Sequence, residues 1–171
     1  MAQKNNVALA REGDVNTRES IYREYYGDVY RYCVYRCGDM HLGEDLAQET
    51  FLRLYRYKDI SESDVSGKAY IMKIACNVCN NHASSYVPTA PLDRTARSGD
   101  VPLLTPEQES VRYAIASLGE DQRQVIVLYY FNSLRLAEIA RILDLPLPTV
   151  KSRMRRGREQ LKKILIQEGF N

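Results

Sequence analysis

The sequence contains no tryptophan and only two histidines, His41 and His82. Neither histidine stands in a Ser-His-Asp arrangement or an HExxH motif, and no glycine-rich phosphate loop occurs, so the residues give no support to an enzyme. No apolar run approaches the roughly 18 residues that span a bilayer. Residues 1–14 are polar and lack the apolar core of a signal peptide. A cytoplasmic chain without membrane contact is therefore expected. Its four cysteines should then be reduced thiols or metal ligands rather than disulfides. Strand-like alternation is missing as well, which leaves an all-α fold.

The 171 residues carry 24 Lys and Arg against 22 Asp and Glu, a net charge of +2. That near-neutrality conceals a local imbalance. Residues 151–163 hold seven basic side chains and a single acid, Glu159, giving +6 and leaving −4 for the remainder. Such a distribution marks a phosphate-binding surface in one place and a different task elsewhere.

Along the chain, residues 1–15 read as a loose polar tail and 16–85 as a first helical unit. Asn16 or Thr17 can cap a helix, with Glu19 in its first turn. Ile21, Tyr25, Val29, Tyr32, Cys33, Arg36 and Cys37 then recur mostly at three and four residues, and Gly38-Asp39 ends the helix. A second helix is expected over 42–58, with Leu46, Ala47, Phe51, Leu54 and Tyr55 on its buried stripe and Glu44 and Asp45 at its positive end. Residues 59–67 have loop composition. Ile71, Ile74, Ala75 and Val78 predict a third helix over 68–84. Pro88, Pro91 and Pro102, among small polar residues, make 86–105 a flexible linker. Thr105-Pro106-Glu107 then supplies an N-cap, a proline at the first helical position and an early acid, opening a second helical unit over 106–171.

The clearest pattern lies at 134–165. Leu136, Ile139, Ala140 and Leu143 form the inner face of a short helix, Asp144-Leu145-Pro146 a turn, and Pro148-Thr149 the start of a longer helix. Val150, Met154, Gly157, Leu161 and Leu165 share one face of it; Lys151, Arg155, Arg158 and Lys162 follow the same spacing one position later, about 100° away. A basic helix alone is more often a solvated surface. Preceded by a short helix and a tight turn, it is a helix-turn-helix whose second helix lies in the major groove. Thr149, Lys151, Ser152 and Arg155 are expected near base edges, and Arg153, Arg156 and Arg158 near phosphates.

With those residues in view, 116–161 (ASLGEDQRQVIVLYYFNSLRLAEIARILDLPLPTVKSRMRRGREQL) resembles the −35-binding domain of sigma-70-family factors. GEDLAQETFLRLY at 43–55 resembles the family's core-polymerase-binding helix, and AYIMKIACNVCNN at 69–81 its −10-melting helix. Order and spacing match the two-domain extracytoplasmic-function (ECF) type. The resemblance implies two helical domains, like sigma regions 2 and 4, in a factor that brings RNA polymerase to promoters. It implies docking on the beta-prime clamp helices through Asp45, Gln48, Glu49 and Leu52, which also share one helix face at i, i+3, i+4 and i+7. It implies contact with the beta flap, −10 contacts from Tyr70, Lys73, Asn77, Asn80 and Asn81, and an anti-sigma factor as candidate partner. Tyr70 stands where the family usually has tryptophan; as a packed core aromatic it would serve equally well.

Two features depart from the family. Arginines expected on the −10 helix are replaced by Cys76 and Ser84, leaving Lys68 and Lys73. Each missing phosphate contact should lower affinity and salt dependence. Cys33 and Cys37 are spaced i, i+4, and Cys76 and Cys79 i, i+3, so four thiolates on packed helices could hold zinc. The spacing lacks the knuckle turns of common zinc motifs and Cys33 and Cys37 lie on an apolar stripe, so buried small hydrophobes are the preferred reading, with no cofactor. The competing function is a stand-alone helix-turn-helix regulator, with the cysteines as thiol or metal sensors.

Overall fold

The computed structural model describes residues 15–56, 67–85 and 105–170, and all elements among them are helical. The expected tail, the loop around 57–66 and the linker at 86–104 lie outside the described residues.

Helix α1 runs Val15–Cys37, so Asn16 and Thr17 are inside it rather than at its cap. Its end falls where the glycine allows it: Gly38 has φ 76° and its N–H donates to the Val34 carbonyl at 2.8 Å. Asp39 then caps α2, Met40–Arg56, by accepting the Leu42 N–H at 2.7 Å, which starts the helix two residues earlier than the spacing predicts. The two helices touch at Gly43. A Cβ there would lie 2.5 Å from Val34 Cγ2 and 2.9 Å from Val34 Cα, so no other residue permits this crossing unchanged.

Helix α3, Gly67–Ser85, is buried on nearly every side. Ala69, Tyr70, Ile71, Met72, Ile74, Ala75, Cys76, Val78 and Cys79 are all in the core. A helix this apolar all round needs neighbours on more than one side. It has them: α1 and α2 pack against it, and so does α6 of the second unit.

The second unit comprises α4 (Pro106–Ala116), α5 (Glu120–Tyr130), α6 (Leu136–Ile142) and α7 (Leu147–Gln167). The Thr105 cap forms as expected, and Gln108 completes a capping box: its N–H donates to Thr105 Oγ1 at 3.3 Å and its Oε1 accepts from the Thr105 N–H at 3.0 Å. The turn between α6 and α7 closes through a left-handed Asp144 (φ 52°) and a Leu145 N–H to Ala140 carbonyl bond of 2.9 Å. Val150, Met154 and Gly157 seat α7 on its neighbours, with the Gly157 Cβ position 2.9 Å from Ile126 Cγ1 of α5.

The two units are in contact. Besides the α3–α6 packing, α1 lies against α4 and α5. Of the buried polar or charged residues Arg36, Thr50, Gln124 and Asn132, all but Thr50 lie along this seam.

Candidate polymerase and promoter interfaces

Helix α2 separates two faces cleanly. Leu46, Ala47, Thr50, Phe51 and Leu54 are buried against α1 and α3. Asp45, Gln48 and Leu52 are exposed on the other side, Leu52 by 47%, with Glu49 half-buried beside them. Glu49 Oε1 accepts from Arg53 Nε at 2.7 Å, which pins the carboxylate on the surface rather than removing it. The four residues thus form a continuous acidic patch with one apolar side chain in it, suited to a basic partner surface.

On α3 the exposed stripe is narrow. Asn77, Asn80 and Asn81 are exposed, and Lys73, one turn earlier, is half-buried. Tyr70 is only 8% exposed and serves as core, so in this arrangement it is not available to a base. Both lysines are ion-paired: Lys68 with Asp28 of α1 at 2.6 Å, Lys73 with Asp144 of the helix-turn-helix turn at 2.9 Å. Asn80 Oδ1 accepts from Arg36 Nη2 at 3.1 Å. The stripe is therefore electrically quiet and rich in amides, which read base edges by hydrogen bonds.

Helix α7 is the opposite. Lys151, Arg155 and Arg156 are exposed, and Thr149 and Ser152 lie half-buried at its N-terminal end. Ser152 Oγ donates to the Thr149 carbonyl at 2.9 Å. Arg155 is held by Glu159 at 2.9 Å one turn on. Arg153 turns sideways to Asp121 at 2.9 Å, and Arg158 stacks over Tyr129 and Tyr130, 5.6 Å from each ring centroid. The last two brace α7 on α5 and orient the others. Nothing in residue spacing separated these bracing arginines from the exposed cations.

The cysteines do not assemble as a metal centre. Cys79 and Cys33 approach Sγ to Sγ at 3.7 Å, inside the core, while Cys37 Sγ donates to the Asp39 carbonyl at 3.2 Å. Among the described residues no group of three or more His, Cys, Asp or Glu is placed to hold a metal ion. Burial pushes the Cys76 thiol up to about 12 and the Cys37 thiol up to about 11. The hydrogen bond with Cys79, then burial, raises that of Cys33. Neutral thiols in an apolar setting behave as small hydrophobes.

Fold and surfaces together define a helix-turn-helix DNA-binding protein with a separate acidic face on α2. The Sigma-70 region 2 family matches residues 21–86, and the Sigma-70 region 4 family matches 108–161. The chain belongs to the sigma-70 family, and within it to the ECF type. It is 29% identical over 182 residues to the ECF RNA polymerase sigma factor SigW of Bacillus subtilis, covering 96% of this chain and 97% of that protein. SigM of the same organism is 28% identical over 163 residues, with 91% and 98% covered. Two solved structures share the fold. The sigma factor RpoE of Bartonella quintana, in complex with the anti-sigma factor NepR, has a TM-score of 0.69 at 20% identity, over 86% of this chain and 95% of that one. CnrH, in complex with the cytosolic domain of CnrY, has a TM-score of 0.71 at 18% identity, over 99% and 100%.

Proposed function

We infer that this protein is a sigma factor that binds core RNA polymerase and directs promoter-specific initiation at −35 and −10 elements. The observation that carries the reading is the pairing of two surfaces in one chain. The acidic face of α2 lies in the matched region 2, and the basic, exposed N-terminal half of α7 lies in the matched region 4. A stand-alone regulator has no use for the first surface.

The roles divide accordingly. Asp45, Gln48, Glu49 and Leu52 dock on the beta-prime clamp helices, and the second unit touches the beta flap. Thr149, Lys151, Ser152 and Arg155 read the −35 duplex while Arg156 holds phosphate; Arg153 and Arg158 position the helix. Asn77, Asn80 and Asn81, with Lys73, read the −10 strand once bases leave the stack. The task is regulatory rather than catalytic, and its site is the cytoplasm; among the described residues no helix is long and apolar enough to cross a membrane. An anti-sigma factor is a further partner.

The test is binding to core RNA polymerase by wild type and by a Gln48→Ala/Glu49→Lys variant. Wild type is expected to bind with sub-micromolar affinity and to compete with the housekeeping sigma factor, and the variant to bind at least about tenfold more weakly. A wild type that ignores core yet binds DNA in a salt-dependent way would instead establish a stand-alone regulator.

A further inference from the structure

Opposite the buried stripe Val150–Met154–Gly157, the outer line of α7 carries Pro148, Ser152 and Arg155, at i, i+4 and i+7. Ser152 and Arg155 are polar. Pro148 is apolar, yet it is exposed, and it stands in the first turn of the helix after Pro146 at the N-cap and Leu147.

The chemistry of this turn is unlike that of the basic helix that follows it. Pro148 has no N–H. The N–H groups of Thr149 and Val150 both donate to the Pro146 carbonyl, at 2.9 and 3.2 Å. The Ser152 hydroxyl donates to the Thr149 carbonyl at 2.9 Å. The turn therefore offers a phosphate few backbone donors, and what it presents outward is the carbon edge of a pyrrolidine ring. Lys151 and Arg155 supply charge for phosphates and donors for polar base edges. Pro148 adds neither.

The major groove has one apolar recognition feature, the C5-methyl group of thymine. Cytosine carries only a hydrogen at the same place. In a helix-turn-helix the first residues of the second helix reach the base edges. An exposed apolar ring at that point matches the methyl group. The ring is also held still. Its own φ is fixed by the pyrrolidine. The preceding turn is closed by the left-handed Asp144 (φ 52°) and the 2.9 Å bond from the Leu145 N–H to the Ala140 carbonyl. The close approach of Gly157 to Ile126 seats the helix behind it. A rigid contact surrenders little conformational freedom on binding, so a single methyl group can discriminate.

We propose that Pro148 is a specificity-determining residue that reads the C5-methyl group of one thymine in the −35 element. This role rests on the −35 reading above and deepens it. A proline in a first turn also pre-sets the helix backbone. That function is indifferent to whether the DNA carries a methyl group, which separates the two roles experimentally.

The test uses full-length protein and a fluorescent duplex that it selects from a randomised pool, titrated at one fixed salt concentration. Each thymine of either strand is replaced in turn by uracil, which removes the methyl group and leaves every hydrogen-bonding atom in place. At one thymine the replacement should weaken wild-type binding about fourfold, as for burial of one methyl-sized group. Pro148→Ser should bind the thymine and uracil duplexes equally. Its slope of log affinity against log salt should match the wild type, since no phosphate contact is lost. If Pro148→Ser loses helix content, Pro148→Ala replaces it, and the uracil series on wild type needs no variant. A wild type that binds all the uracil duplexes as well as the parent overturns this role for Pro148. So does a uracil effect of undiminished size in the variant. A wild type that enriches no duplex removes the −35 reading, and the role of Pro148 with it.

Discussion

On α7, Lys151, Arg155 and Arg156 stand exposed along a helix whose opposite side is fixed to α5; on α3, the exposed side carries Asn77, Asn80 and Asn81, and both lysines are already ion-paired. One unit exposes charge, the other neutral amides. Charge acts at long range and is screened by salt, so the second unit can find duplex DNA by itself. Amide contacts act only at hydrogen-bond distance and need single-stranded bases brought to them. On the function proposed above, the first unit is delivered by another interaction, through the acidic face of α2.

The units also differ in what their interiors hold. Among the described residues, the tyrosines and cysteines with displaced pKa values lie in α1–α3, where burial raises Cys37 to about 11, and Cys76 and Tyr26 to about 12. All are neutral near pH 7 in both states. Above about pH 9 the unfolded chain ionises first and binds fewer protons than the folded one, so stability falls as pH rises through the window from 9 to 12. The largest effect expected is thus alkaline opening of α1–α3 ahead of α4–α7, followed by amide hydrogen exchange at pH 10 to 11. Earlier loss of protection in α5 or α7 would erase this contrast.

A smaller effect separates the two reading modes directly. Lys151→Ala/Arg155→Ala should weaken binding to a −35 duplex by about 1–3 kcal/mol and reduce the slope of log affinity against log salt by about 2. Fluorescence anisotropy across a salt series measures both. An unchanged slope would mean that these cations do not meet phosphate or the groove.

The smallest is at α3. Asn77→Ala should weaken capture of a −10 single strand by reconstituted holoenzyme about threefold to tenfold, as for loss of one or two neutral hydrogen bonds, with the salt slope unaltered. Asn77→Lys should instead steepen the slope by about 0.7. If Asn77→Ala itself changes the slope, α3 is reading by charge after all and the contrast between the units disappears.

Much of this was legible in residue spacing. The stripes Ile21–Tyr25–Val29–Tyr32 on α1, Leu46–Phe51–Leu54 on α2 and Val150–Met154–Gly157 on α7 predicted their buried faces, because a helix presents every third or fourth residue to one side. The Thr105 cap was legible because its partners are three residues away. Asp39 as a cap was missed; a short polar side chain before a helix competes with several neighbours for that role. Tyr70 could be read as a base contact or as core, and its 8% exposure places it in the core. The four cysteines share helix faces by spacing, yet only Cys33 and Cys79 meet, since which faces oppose one another is a matter of packing.

Arg36 stands on the apolar stripe of α1, and its buried guanidinium is met by a half-exposed carboxylate of the second unit. Its partner, Glu120, is 84 residues further on, and no local pattern connects the two. The three helices of the first unit, the helix-turn-helix with its basic helix α7, and the acidic face of α2 follow from the order of residues, because each is written in periodicities of a few positions; α5 was legible only as part of a helical unit. Packing had to settle the rest: that the two units close on each other, that Lys73 is neutralised by Asp144, and that Arg153 and Arg158 brace α7. Those outcomes depend on contacts between distant segments, whose energies are fixed by geometry and desolvation and leave no trace in local spacing.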